Sequence, residues 1–110
     1  TLQSVIKHEH QNIFSNLGEA DITSHINYKL FSKILIGKNL EIAKIVNQNE
    51  FLQKMGIIER AKIISKKSSF KIKASIFYKL KKLLHYDEMG NLFKVMFARK
   101  KGEKFFLGFE

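Results

Sequence analysis

Few side chains in this sequence can do covalent chemistry. None of the 110 residues is Cys, which removes the cysteine nucleophile, the thiolate-ligated zinc and any disulfide framework. The four His, at 8, 10, 25 and 85, are too scattered along the chain to suggest a metal site by themselves. Six Gly stand at 18, 37, 56, 90, 102 and 108, and none belongs to the Gly-rich strand-to-helix turn that cradles a nucleotide. Lysine is abundant: Lys66, Lys67, Lys71, Lys73, Lys79, Lys81 and Lys82 gather in one stretch, and ammonium groups can hold phosphates. At helical spacing these lysines spread around the axis, and no aromatic motif of the RNA-binding type accompanies them, so they read as a solvated face. Among the carboxylates, Glu50 stands at the expected start of a helix, where the dipole favours negative charge.

The elements that must position such groups fit one domain by length, with 45% hydrophobic and 12% aromatic residues to build a core. A net charge of +10 ordinarily suggests an anionic partner. Lys, Ile and Asn also have A/T-rich codons, so codon drift yields the same excess without selection for binding, and the charge is discounted. No apolar run approaches a membrane span, and the start has neither the basic segment nor the apolar stretch of a signal peptide. A cytoplasmic protein without a membrane partner is expected. The chain opens on Thr1 and runs at once into the strand-like Leu2–Ile6, as expected of a piece of something longer.

Residues 2–8 read as an extended segment and 9–21 as a polar connection. Tyr28, Phe31, Ile34 and Leu35 recur at three and four, with Asn27 to cap a helix and Gly37 to close it. Leu40 to Val46 is a β-branched run of strand length. Asn49 can cap a short helix over 50–55, a second follows from Ile57 to about Lys66, and Ser68 or Ser69 can cap a longer one with Phe70, Ala74, Phe77 and Leu84 on one stripe. Leu92 to Ala98 is apolar on both faces apart from Lys94, which suggests a strand covered on both sides in a large sheet. Phe105 to Phe109 are packing residues in need of a partner surface. Strands separated by long helical stretches imply a sheet with helices on its faces, yet three strands are few for one.

Three segments, read in order, resemble the MidA-type S-adenosylmethionine-dependent methyltransferases, whose mitochondrial relatives look like arginine methyltransferases for a respiratory complex I subunit. Gly18-Glu19-Ala20-Asp21-Ile22-Thr23-Ser24-His25-Ile26-Asn27-Tyr28 is similar to the family's Gly-Glu-Ala-Asp-Leu-Thr-x-His-Val-Asp-Phe. Asn47 to Ile57 resembles its Thr-Gln-Gly-Glu-Phe-Leu-x-x-Leu-Gly-Ile, and Met89 to Met96 its Met-Gly-x-Leu-Phe-Lys-Val-Leu. The resemblance implies an α/β fold: the C-terminal part of a Rossmann-like methyltransferase sheet, built as strand, helix, strand, a helical insertion at about 50–85, and an antiparallel last strand. Residues 1–110 would then be a single incomplete domain, the last third of the whole. The site for the S-adenosylmethionine cofactor lies upstream in the family, so a separate N-terminal half would have to supply it.

The resemblance also implies roles. Asp21, Thr23 and His25 would fall in the connection at the carboxyl edge of the fifth strand, where open α/β sheets bind ligands. His25 and Asp21 are the catalytic candidates, with His25 as base; Thr23, Gln48 and Glu50 are the substrate-binding candidates, with Glu50 or Asp21 orienting a guanidinium by paired hydrogen bonds. Capping explains Asp21, Thr23 and Glu50 as well, and a backbone hydrogen bond explains His25. Asn47 and Asn49 depart from the family's Thr and Gly. The expected partners are the missing half or a second copy held through exposed apolar strands, together with a protein substrate; nucleic acid is disfavoured. Two other functions stand beside this one: a small basic module binding nucleic acid or acidic protein, and an inactive remnant of a split gene.

Overall fold

The computed structural model describes residues 2–104, 108 and 109. They divide into two units, 1–34 and 35–110, where the sequence reads as one body. The first is organised by local antiparallel pairing. Strand β1 (Leu2–Ile6) pairs with β2 (Glu9–Gln11) on one side and β3 (Asp21–Ser24) on the other. Lys7 and His8 join β1 to β2 with φ of 49° and 69°, the left-handed pair that a two-residue hairpin demands. Neither is the Asn or Gly that normally advertises such a turn, and β2 contains no apolar residue, so the expected polar connection over 9–21 hides a strand. From Asn12 to Ala20 the loop holds itself: Asn12 Oδ1 accepts from the Phe14 amide at 2.9 Å, and Ser15 Oγ donates to the Asn12 carbonyl at 2.7 Å. Helix α1 (Tyr28–Gly37) starts as expected, Asn27 Oδ1 accepting from the Leu30 amide at 3.0 Å. It buries no residue, and Leu30, Ile34 and Ile36 are each more than half exposed.

The second unit is a bulged antiparallel ribbon packed with helices. Strand β4 (Leu40–Ile42) continues into β5 (Val46–Asn47), after which come α2 (Gln48–Lys54), α3 (Ile57–Ser65), α4 (Phe70–Leu84), a short α5 (Met89–Leu92), and strands β6 (Lys94–Val95) and β7 (Ala98–Lys100). β4 pairs with β7 and β5 with β6, both antiparallel. The register slips by one between the two pairings, because residues 43–45 stand opposite only Met96 and Phe97. The expected strand Leu40–Val46 is therefore two strands around a bulge, held there by the Ala43 amide donating to the Phe97 carbonyl at 3.0 Å. Ala43 and Val46 are buried beside it.

The helices fall where the sequence puts them, with different ends. Asn47, not Asn49, is the N-cap of α2, and it makes no side-chain cap bond. The expected strand Leu92–Ala98 is replaced by the last residue of α5 and two short strands reaching Lys100, with Leu92 and Phe93 65% and 47% exposed and Val95 to Ala98 half-buried. At Gly90 the Leu84 and His85 carbonyls lie where a Cβ would be, and the Gly90 amide donates to the His85 carbonyl at 3.0 Å, in the turn that leads from α4 into α5. Within Phe105 to Phe109, residues 105–107 lie outside the described residues; Phe109 packs its ring 5.3 Å from Phe51 and 5.5 Å from Phe97. No helix among the described residues is long and apolar enough to cross a membrane.

Candidate functional site

The five candidate residues divide between the units. Asp21 and Thr23 belong to β3, not to a loop, and stand opposite Val5 and Gln3 of β1. Strand alternation puts these two on one face of the sheet and Ile22 with Ser24 on the other. Both are exposed, and among the described residues neither side chain caps a turn. His25 follows β3 directly, exposed and without a side-chain hydrogen bond among the described residues. The first unit thus presents a carboxylate, a hydroxyl and an imidazole within five consecutive residues, all reaching solvent.

Gln48 and Glu50 lie in the first turn of α2 and diverge. The Gln48 amide nitrogen donates to the Phe93 carbonyl at 2.9 Å, extending the β5–β6 ladder, and its side-chain Nε2 donates to the Leu83 carbonyl at 3.0 Å. Asn49 Nδ2 donates to the Leu84 carbonyl at 2.7 Å, and Asn47 Nδ2 to Asn91 Oδ1 at 3.1 Å. Three consecutive amide side chains thus tie the start of α2 to the end of α4 and to α5, satisfying carbonyls that a helix terminus leaves open. Glu50 points elsewhere, to Lys54 one turn on, with Nζ to Oε1 at 3.3 Å. Two residues apart on a helix means nearly opposite faces, which is why the pair does not converge.

Two features escaped the sequence. Glu41 and Arg99 are cross-strand partners, Arg99 Nη2 and Nε lying 2.7 and 2.9 Å from Glu41 Oε2, and only the register reveals them. At the end of α4, a pocket of about 420 Å³ is lined by Phe77, Leu80, Lys81, Leu84, His85 and Tyr86. The His85 and Tyr86 rings stack at 4.6 Å, and His85 Nδ1 accepts from the Asp87 amide at 3.3 Å. No group of three His, Cys, Asp or Glu that could hold a metal occurs among the described residues. The glycines with positive φ lie in a loop, between α2 and α3, in the turn after β7 and at the terminus; none joins a strand to a helix. The described residues therefore lack the strand-to-helix glycine turn of an adenosylmethionine site.

The fold is the α/β fold of COG1565 superfamily structures, of which this chain represents a part. A COG1565 protein from Burkholderia thailandensis superposes with a TM-score of 0.83 at 26% identity, covering 98% of this chain and 29% of that one. A COG1565 member from the same organism, bound to S-adenosyl-homocysteine, gives 0.84 at 26% identity over 98% of this chain and 28% of its own. In sequence, the chain is homologous to a segment of the mitochondrial protein arginine methyltransferase NDUFAF7: 30% identical over 95 residues to that of Xenopus tropicalis and 26% over 95 residues to that of Xenopus laevis. Each match takes in 86% of this chain and 22% of the relative, so the chain spans about a fifth of the length of these relatives. No protein-family model matches the sequence. The resemblance carried by the three segments is borne out: over this region the chain is similar to a family of S-adenosylmethionine-dependent methyltransferases.

Proposed function

We propose that this chain is the C-terminal part of a Rossmann-like, S-adenosylmethionine-dependent protein arginine methyltransferase whose cofactor site lies in an N-terminal part outside these 110 residues. The coverage supports the reading: 98% of the chain superposes on only 28% of a chain that binds S-adenosyl-homocysteine, the product adenosylmethionine leaves after giving up its methyl group. The apolar surface of α1 supports it too, because a helix with so many half-exposed large residues is made to be covered. In the assembled enzyme His25 is the base for the proton released by the attacking arginine nitrogen, and Asp21 or Glu50 is the carboxylate that receives the guanidinium. The test is co-expression with the cofactor-binding half and transfer of labelled methyl to a protein substrate. Activity in the pair and in neither part alone is the expected result; a pair that assembles and transfers nothing overturns it.

The chain alone is expected not to bind S-adenosylmethionine, since no described turn can hold the nucleotide. Calorimetric titration giving micromolar affinity would contradict this. In the assembled enzyme, Glu50→Gln is expected to raise KM about tenfold with kcat unchanged, because an amide cannot make the charged paired contact of a carboxylate. Stability should move by less than about 0.5 kcal/mol, since the Lys54 pair that is lost is a surface one. Steady-state kinetics with normal KM would remove Glu50 from the site.

A further inference from the structure

The net charge of +10 is not spread along the chain. Residues 57–84, which make up α3, α4 and their turn, hold nine Lys or Arg and one acidic residue, a net +8, while the other 82 residues together carry +2. Codon drift enriches Lys everywhere and does not account for this concentration. The one carboxylate, Glu59, is already paired with Lys62 at 2.8 Å. Between the two helices runs a groove of about 190 Å³, floored by Ile64, Ile76, Leu80 and Leu83, with Arg60 of α3 on one rim and Lys79 of α4 on the other. Neither rim cation has an ion pair among the described residues. Ile64 is 48% exposed, so the floor is open to an incoming side chain.

We propose that the α3–α4 groove docks an acidic amphipathic segment of a partner protein, its apolar side chains entering between the helices and its carboxylates meeting Arg60 and Lys79. The chemistry of the floor selects this occupant. A nucleic acid would use the cations, but it gains by stacking on aromatic rings and gets nothing from an aliphatic floor. A bilayer surface is flat, whereas this apolar surface lies between two helices, the shape that takes the i, i+3, i+4 anchors of a helix. Unpaired cations on both rims add attraction and orientation on top of the apolar contact. This docking does not depend on the methyl-transfer reading, and its test measures binding alone.

The experiment is fluorescence anisotropy of a labelled helical peptide with Leu on one face and Glu on the other, titrated with the 110-residue chain. A scrambled peptide of the same composition is the control. The amphipathic peptide is expected to bind at least about tenfold more tightly than the scrambled one, and Arg60→Glu with Lys79→Glu to weaken it about tenfold. Ile64→Ser should weaken it without changing charge, and circular dichroism on each variant confirms that the helices remain. Equal affinity for the scrambled peptide, no loss in the variants, or tighter binding to duplex RNA or to phosphatidylglycerol vesicles would each overturn the proposal.

Discussion

Replacing His25 with Ala in the assembled methyltransferase is expected to lower turnover by about 10² to 10⁴, the range for loss of a general base. Cofactor affinity should stay the same, because no described turn around His25 has the Gly-rich strand-to-helix form that holds a nucleotide. His25 is suited to proton transfer for a reason of connectivity: it stands directly after β3, whose pairing with β1 anchors the backbone through Ser24, while its own side chain is exposed and bonded to no described residue. A histidine serving the fold would show a partner and would cost stability when removed. For His25→Ala the melting temperature should therefore hold while the rate collapses. Asp21→Asn and Thr23→Ala, which alter the same face of β3, should leave folding intact and lower the rate less. Equal rates for wild type and His25→Ala in single-turnover transfer would eliminate the base assignment while leaving the family likeness untouched.

Gly90→Ala is expected to destabilise the chain by about 3 kcal/mol, in the range where overpacking forces the backbone to move. The added methyl would collide with the carbonyls of Leu84 and His85, which are backbone and cannot turn aside as a side chain tip can. The same carbonyl region is where Gln48 and Asn49 bring their amides, so moving it also strains the bonds to Leu83 and Leu84 that seat α2. Gly37→Ala is the control. Nothing lies within 4 Å of the added methyl there, and Ala is the better residue at a helix end with ordinary φ. Urea denaturation followed by circular dichroism separates them, and a Gly90→Ala midpoint equal to that of Gly37→Ala would show that the turn after α4 yields freely. This accounts for Gly90 in the family-like segment Met89 to Met96 by packing alone.

Helices were the legible part of this protein. Repeats of three and four over Tyr28–Leu35 and Phe70–Leu84, and Gly37 and Gly56 as stops, are local signals, and α1 to α4 appear within a few residues of them. The family likeness was legible too, since it rests on residue identities at fixed spacings. What only the tertiary structure decided is where chains meet. Glu9-His10-Gln11 has no apolar residue and becomes a strand only because β1 lies beside it, while Asp21 to Ser24 joins the other edge of β1 for the same reason. The one-residue slip between the β4–β7 and β5–β6 pairings, and the Glu41–Arg99 pair that the register creates, are properties of two segments far apart in the chain. Asn47, Gln48 and Asn49 look like a helix start in one dimension, and in three they are the clamp on α4 and α5. A hydrogen-bonding side chain carries no record in its own sequence of which distant carbonyl it will meet, and that is why the candidate site could be named from the chain while its geometry could not.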